Sequence, residues 1–179
     1  MRASIELKRE RILADFGALC LFFAAIEYVF SRALPFFRLG FSNIPILLAL
    51  DFMPFPALVA LVAVKVLGQA LINGTLSSYV FLFSLAGSTA SFFAMYPLKR
   101  LLKDRVSLVG LGSAGALASN IMQVVLSVAF IFGQASIVMA PFLLGIGAVS
   151  GVLMGAFAQA FKDKSKWLAR VEAAWKGEP

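Results

Sequence analysis

Lys65, Gln69 and Asn73 recur at intervals of four in a run that is otherwise apolar. At that spacing they share one face of a helix. An ammonium and two amides in a row could meet an anion or orient the polar edge of a solute. Other apolar runs carry comparable groups. Glu27 lies in the run 11–31. Arg38 and Asn43 stand at the mouth of a shorter run, 41–53, and Asp51 lies near its far end. Ser84, Gly87, Ser88 and Ser91 share a face within 79–98. Ser113, Asn120, Gln123 and Ser127 fall within about 80° of one another on a helix over 107–131. Ionisable groups in apolar surroundings are costly and point to a function or a buried partner. Lys65 could pair with Glu27 as a structural ion pair, or either could face a wet cavity. A lone Ser or Asn has a plainer role, a hydrogen bond to a neighbouring helix or to its own backbone. That is the reading for Ser84, Ser88 and Ser113. Gln69, Asn120 and Gln123 carry more weight, because a buried amide needs several partners.

The elements that position these groups follow from composition. The chain has 179 residues, 61% hydrophobic and only 14% charged, with a mean hydropathy of +0.92. A soluble domain carries about 25% charged residues. The expected fold is therefore an all-α integral membrane bundle. Six candidate spans emerge: 11–31, a short 41–53, 55–73, 79–98, 107–131 and 138–161. PFFRLG, MPFP, NGTLSS, KRLLKDR and FGQAS interrupt them, and such Pro, Gly, Asn and charge clusters are ordinary breaks. A basic N-terminus (1–10) and a basic tail (162–179) flank the membrane domain (11–161).

The net charge of +7 is distributed unevenly. With six spans, thirteen of the sixteen cations fall on one side. They precede the first span, lie between the fourth and fifth, and follow the sixth. Basic loops stay cytoplasmic, so both termini are expected inside, and nucleic acid is not an expected partner. Arg32 and Arg38 fall outside, either against lipid headgroups or facing a ligand. The first apolar run has no A-x-A cleavage site, so no signal peptide is expected.

On this topology the amides and charges concentrate in the middle and outer membrane, which predicts a polar pocket opening outward. Arg38 and Asn43 would stand at its rim, and some of the eighteen Phe residues could line it. Small residues predict where helices touch. Gly147, Gly151 and Gly155 form one ridge in GIGAVSGVLMGAFAQA, suited to close helix approach. Ala14 and Ala18 give the first span a small-residue face that could dock another membrane subunit.

Several chemistries lack their residues. The chain has no histidine and a single cysteine, Cys20, which excludes an intramolecular disulfide, a bis-histidine haem and a Ser-His-Asp triad. It has no G-x-x-x-x-G-K-[ST] phosphate loop. It has no paired acidic motif to hold magnesium against a diphosphate, and no nucleophile beside a base. No intrinsic cofactor, no metal site and no enzyme activity are expected.

The segments RLGFSNIPILLAL, KVLGQALINGTLSS, FLFSLAGSTASFFAMYPLKR and GSAGALASNIMQ, in this order, resemble the Gx transporter family. Its members are often labelled heptaprenyl diphosphate synthase component I. They are similar to the substrate-binding (S) components of energy-coupling factor transporters. The resemblance spans about residues 11–161, and its most specific element is LG-x-[SA]-N, here Leu39 to Asn43. It marks Glu27, Arg38, Leu39, Gly40, Asn43, Lys65, Gly74, Ser84, Gly87, Ser91, Gly115, Asn120 and Gln123. Relatives more often carry Arg at the position of Lys65, and His-Asn where this chain has Ser119-Asn120.

The resemblance implies a six-helix S-component fold in the bacterial cytoplasmic membrane. It implies an outward-open site for a vitamin-like micronutrient or precursor, with energy from a coupling membrane subunit and two ATPase subunits. Glu27, Arg38, Asn43, Lys65, Gln69, Asn73, Ser84, Asn120 and Gln123 are the expected substrate-binding residues. Two other readings stand beside this one. One is a non-catalytic membrane subunit associated with prenyl diphosphate or quinone synthesis. The other is an accessory subunit of flavin-linked electron transfer, holding a flavin- or quinone-related ligand.

Overall fold

The computed structural model describes residues 2–33 and 40–177, and its regular structure there is helical throughout. The helices are α1 (Arg2–Ala33), α2 (Ile44–Ala49), α3 (Phe55–Ile72), α4 (Tyr79–Leu102), α5 (Leu108–Phe130), α6 (Ala135–Lys164) and α7 (Lys166–Lys176), with single 3-10 turns at Phe41–Asn43 and Lys103–Arg105. Ser78, Ser107 and Ser165 cap α4, α5 and α7, each accepting a backbone N–H from the first turn. Such caps satisfy donors that a helix start leaves open.

Five described helices are long and apolar enough to cross a membrane: α1 over Glu6–Val29, α3, α4, α5 and α6. The molecule is a multi-pass membrane protein. The expected span over 41–53 is not a full-length helix. Gly40 takes a left-handed conformation (φ 72°), Pro45 opens α2, and Pro54 stands at its N-cap as α3 starts. Proline lacks an N–H and disfavours helix in the residue before it, and only six residues between Gly40 and Pro54 are α-helical. All six are buried. A helix apolar on every side belongs inside a protein, and here other helices surround it rather than lipid.

Ring contacts fix the height that this segment covers. Phe16 of α1 packs edge-on against Phe52, with centroids 5.6 Å apart. Glu27, eleven residues further along α1, accepts the N–H of Gly40. At 1.5 Å per residue the two levels are roughly 16 Å apart. Residues 40–52 therefore span about half the ~30 Å of a bilayer's apolar thickness.

The tail is more structured than a basic extension. Residues up to Lys164 prolong α6, and α7 lies on the end of the bundle. Its Leu168, Val171 and Trp175 repeat at helical spacing and pack on the core. Trp167 stacks on Phe16 at 6.0 Å, and Trp175 meets Phe52 at 6.1 Å. Arg9 Nε donates to the Trp175 carbonyl (3.1 Å). The first and last helices thus meet at the same, basic end of the bundle.

Candidate functional site: a polar cavity inside the bundle

Glu27 and Lys65 are both buried, at 5% and 4% exposure, and both line one cavity. Each is held by neutral dipoles. Glu27 accepts from Gly40 N (3.0 Å), Ser42 N (3.5 Å) and Ser42 Oγ (2.9 Å). Lys65 Nζ donates to Asn43 Oδ1 (2.6 Å) and Ser88 Oγ (3.0 Å). The turn Gly40–Asn43 therefore links the carboxylate on α1 to the ammonium on α3. Its left-handed Gly40 lets the N–H groups of Gly40 and Ser42 reach the same carboxylate.

The cavity measures about 90 Å³. Gln69 and Ser84 face it together, Ser84 Oγ donating to Gln69 Oε1 (3.3 Å). Asn120 and Gln123 line the opposite wall, where Gln123 Nε2 donates to Ser119 Oγ (3.1 Å). Of the expected binding residues, Glu27, Asn43, Lys65, Gln69, Ser84, Asn120 and Gln123 thus converge on one chamber. Two others stand apart from this account. Arg38 lies outside the described residues. Asn73 caps the end of α3 away from the lining, and its Oδ1 is buried without a partner. The four-residue repeat put Asn73 on the right face, but the helix ends there and the chamber does not extend that far.

The serines divide by role. Ser84 and Ser88 bond across helices, and both also line the chamber. Ser113 donates to the Val109 carbonyl of its own helix (2.8 Å), and Ser127 pairs with Ser136 (2.8 Å). Ser42, Ser119 and Ser150 line the chamber without having been singled out as binding residues. Ser42 sits beside Asn43, and Ser150 follows Gly147 by three, so helical spacing from known members could have found them.

The expectation of an aromatic lining fails: no described residue around the cavity is aromatic. Phe22, Phe93, Phe130, Phe132, Phe142 and Phe157 are instead exposed on the outside of the bundle. Lipid is as apolar as phenylalanine, so large rings need no protein cover there. A chamber that holds an acid and an ammonium instead needs dipoles.

The α5–α6 wall is built on glycine. A Cβ at Gly151 would come within 2.9 Å of the Gly112 carbonyl, and one at Gly155 within 2.7 Å of the Leu108 carbonyl. A Cβ at Gly147 would overlap the Asn120 amide, which itself donates to the Leu143 carbonyl (3.4 Å). Gly147 thus leaves the space that brings Asn120 to the chamber. Ala14 and Ala18, the other small-residue pair, are exposed on α1.

Below the chamber an ionic cluster closes the basic end. Asp51, in the turn after α2, accepts from Lys99 of α4 (2.5 Å) and from Lys162 of α6. Burial opposes the charge of Asp51, but the hydrogen bonds from Lys162 and Lys99 outweigh it and hold the carboxyl below its ordinary range.

Long apolar helices around an internal polar chamber define the class, a multi-pass helical membrane protein. The chain belongs to the heptaprenyl diphosphate synthase component I family, a Gx transporter-like family, whose model matches residues 16–161. Comparison with curated proteins and with solved structures gives no match.

Proposed function

We propose that the chain is the membrane substrate-binding subunit of an uptake system for a small polar micronutrient or cofactor precursor. The observation that carries this is the chamber itself. It holds one carboxylate and one ammonium, surrounded by hydroxyls and amides that can exchange their present bonds for a solute's. Glu27, Asn43, Lys65, Gln69, Ser84, Asn120 and Gln123 are its proposed binding residues, with Arg38 at the rim. Ligand sites for drug-sized molecules run about 300–1,000 Å³. A chamber of about 90 Å³ suits a compact solute, or a larger one only after a wall has moved.

The topology proposed with it has six crossings. The buried segment that begins at Gly40 makes the inner half of the second. Both termini are then cytoplasmic, since they meet at the basic end, and the chamber opens to the outside of a bacterial cytoplasmic membrane. The chain is not itself an enzyme on this reading. Energy comes from a coupling membrane subunit with two ATPase subunits. The exposed Ala14 and Ala18 on α1 offer the coupling subunit a close helix approach.

The family description favours a second reading, a membrane component that binds a prenyl diphosphate. Lys65 is the one cation among the described lining residues, and Glu27 stands across from it. That balance suits a neutral or zwitterionic solute better than a diphosphate. Native mass spectrometry of the gently solubilised protein, with extraction of bound molecules, separates the two. A stoichiometric polar solute whose retention depends on Lys65 supports uptake. A prenyl diphosphate supports the second reading. A protein that carries no solute and binds none from a panel of vitamins and precursors overturns the first.

A further inference from the structure

At the opposite end from the chamber a second concavity of about 370 Å³ opens to the surroundings. Arg9, Arg100 and Lys176 rim it, and Phe52, Met53, Pro54 and Trp175 form its walls. Its one acid, Asp51, is already engaged by Lys99 and Lys162. The two guanidiniums are held by rings rather than by carboxylates. Arg9 lies 5.8 Å from the Trp175 centroid and Arg100 5.1 Å from that of Tyr96. Neither has a carboxylate partner among the described residues. A cation over an aromatic face keeps its outer N–H donors available. The level is that of a membrane boundary: Leu101 and Leu102, beside Arg100, are exposed at 80% and 41%, while Lys103 and Arg105 follow directly. Both tryptophans of the chain lie at this end, as expected of residues that favour the headgroup level.

We propose that this crevice binds the phosphate headgroup of an anionic membrane lipid. Arg9 and Arg100 meet the phosphate, Lys176 stays paired with Glu172 at the rim, and the glycerol region lies on Phe52 and Pro54. Basic pockets on the positively charged side of a helical bundle recognise such headgroups. An apolar wall beside the cations selects a lipid over a free phosphate ion. This site is independent of the chamber and of the uptake reading.

The test is native mass spectrometry of the full chain in detergent, titrated with dioctanoyl phosphatidylglycerol, dioctanoyl phosphatidylcholine or inorganic phosphate. The expected result is one tightly retained phosphatidylglycerol and weaker retention of the other two. Arg9→Gln and Arg100→Gln should each weaken phosphatidylglycerol about fivefold, at roughly one surface cation's worth, and leave phosphatidylcholine unchanged. Lys103→Gln, a cation outside the crevice, should change neither. Arg9 also holds α7 through the Trp175 carbonyl, so a loss of stability in Arg9→Gln leaves Arg100→Gln to decide. Equal retention of the two lipids overturns the proposal, as does a preference that survives Arg100→Gln. Inorganic phosphate bound as tightly as the lipid would mean an ion site. Binding of an acidic peptide in place of lipid would assign the crevice to a protein partner. Either would overturn the lipid assignment.

Discussion

The two walls of the chamber are built on different physics. On the α5–α6 side, backbones touch through Gly112, Gly151 and Gly155, and no side chain could give way. On the other side, side-chain packing and a few polar bonds together hold the short α2. Glu27 grips its entry turn, Lys65 reaches Asn43, and Asp51 fixes its exit to α4 and α6. Close-packed backbone is rigid because dispersion contacts vanish with small displacements. Polar bonds between side chains can be traded for bonds to a solute. The contrast assigns the scaffold to α5–α6 and adjustment to the α2 segment.

Substitution at Gly151 is the harshest test of this contrast. Gly151→Leu should lower stability by about 3 kcal/mol or prevent assembly, since the new side chain meets the backbone of α5. An unchanged melting temperature would remove the rigid wall from the account. Asp51→Ala should cost about 2 kcal/mol, less than a fully buried pair because Lys162 is partly exposed. Thermal unfolding reads it, and a wild-type melting temperature would mean that the exit of α2 is held by packing alone.

On the adjustable side, Lys65→Met should weaken the co-purifying solute at least about tenfold, the effect of losing a charged hydrogen bond. Asn120→Ala and Arg38→Ala should weaken it less while leaving the protein folded. Full affinity in both of the latter would put the binding site elsewhere. Hydrogen exchange sharpens the comparison further. Amides of 40–53 should exchange faster than those around Gly112 and Gly151, and slow down when solute is bound. Equal protection on both sides would erase the distinction. The smallest effect concerns pH. The depressed carboxyl of Asp51 contributes stability above its ordinary value, and that contribution is lost as pH falls through its lowered value, below about pH 4. Asp51→Asn should flatten this part of the stability profile.

Chamber residues were legible because each violated its surroundings. An ammonium, an acid and three amides in apolar helices have few affordable positions, and helical spacing placed Lys65 with Gln69 and Asn120 with Gln123 on common faces. Asn73 obeyed the same spacing but lies where the helix stops. Ser150 was hidden among glycines, since a hydroxyl in a small-residue ridge reads as packing. The α7 helix was missed because the charge of 162–179 masks the short apolar repeat of Leu168, Val171 and Trp175.

Composition and periodicity by themselves determined that the solvent is lipid, that the chain is helical, and which faces carry polar groups. These depend on local spacing and on transfer from water, which each segment expresses alone. Tertiary structure decided the rest. It showed that 41–53 holds only a short α-helix buried on all sides, that no described phenylalanine lines the chamber while hydroxyls do, and that Asp51 answers to lysines 48 and 111 residues away in sequence. An apolar run reads the same whether its neighbours are lipid or protein. Only the packing of the other helices distinguishes the two.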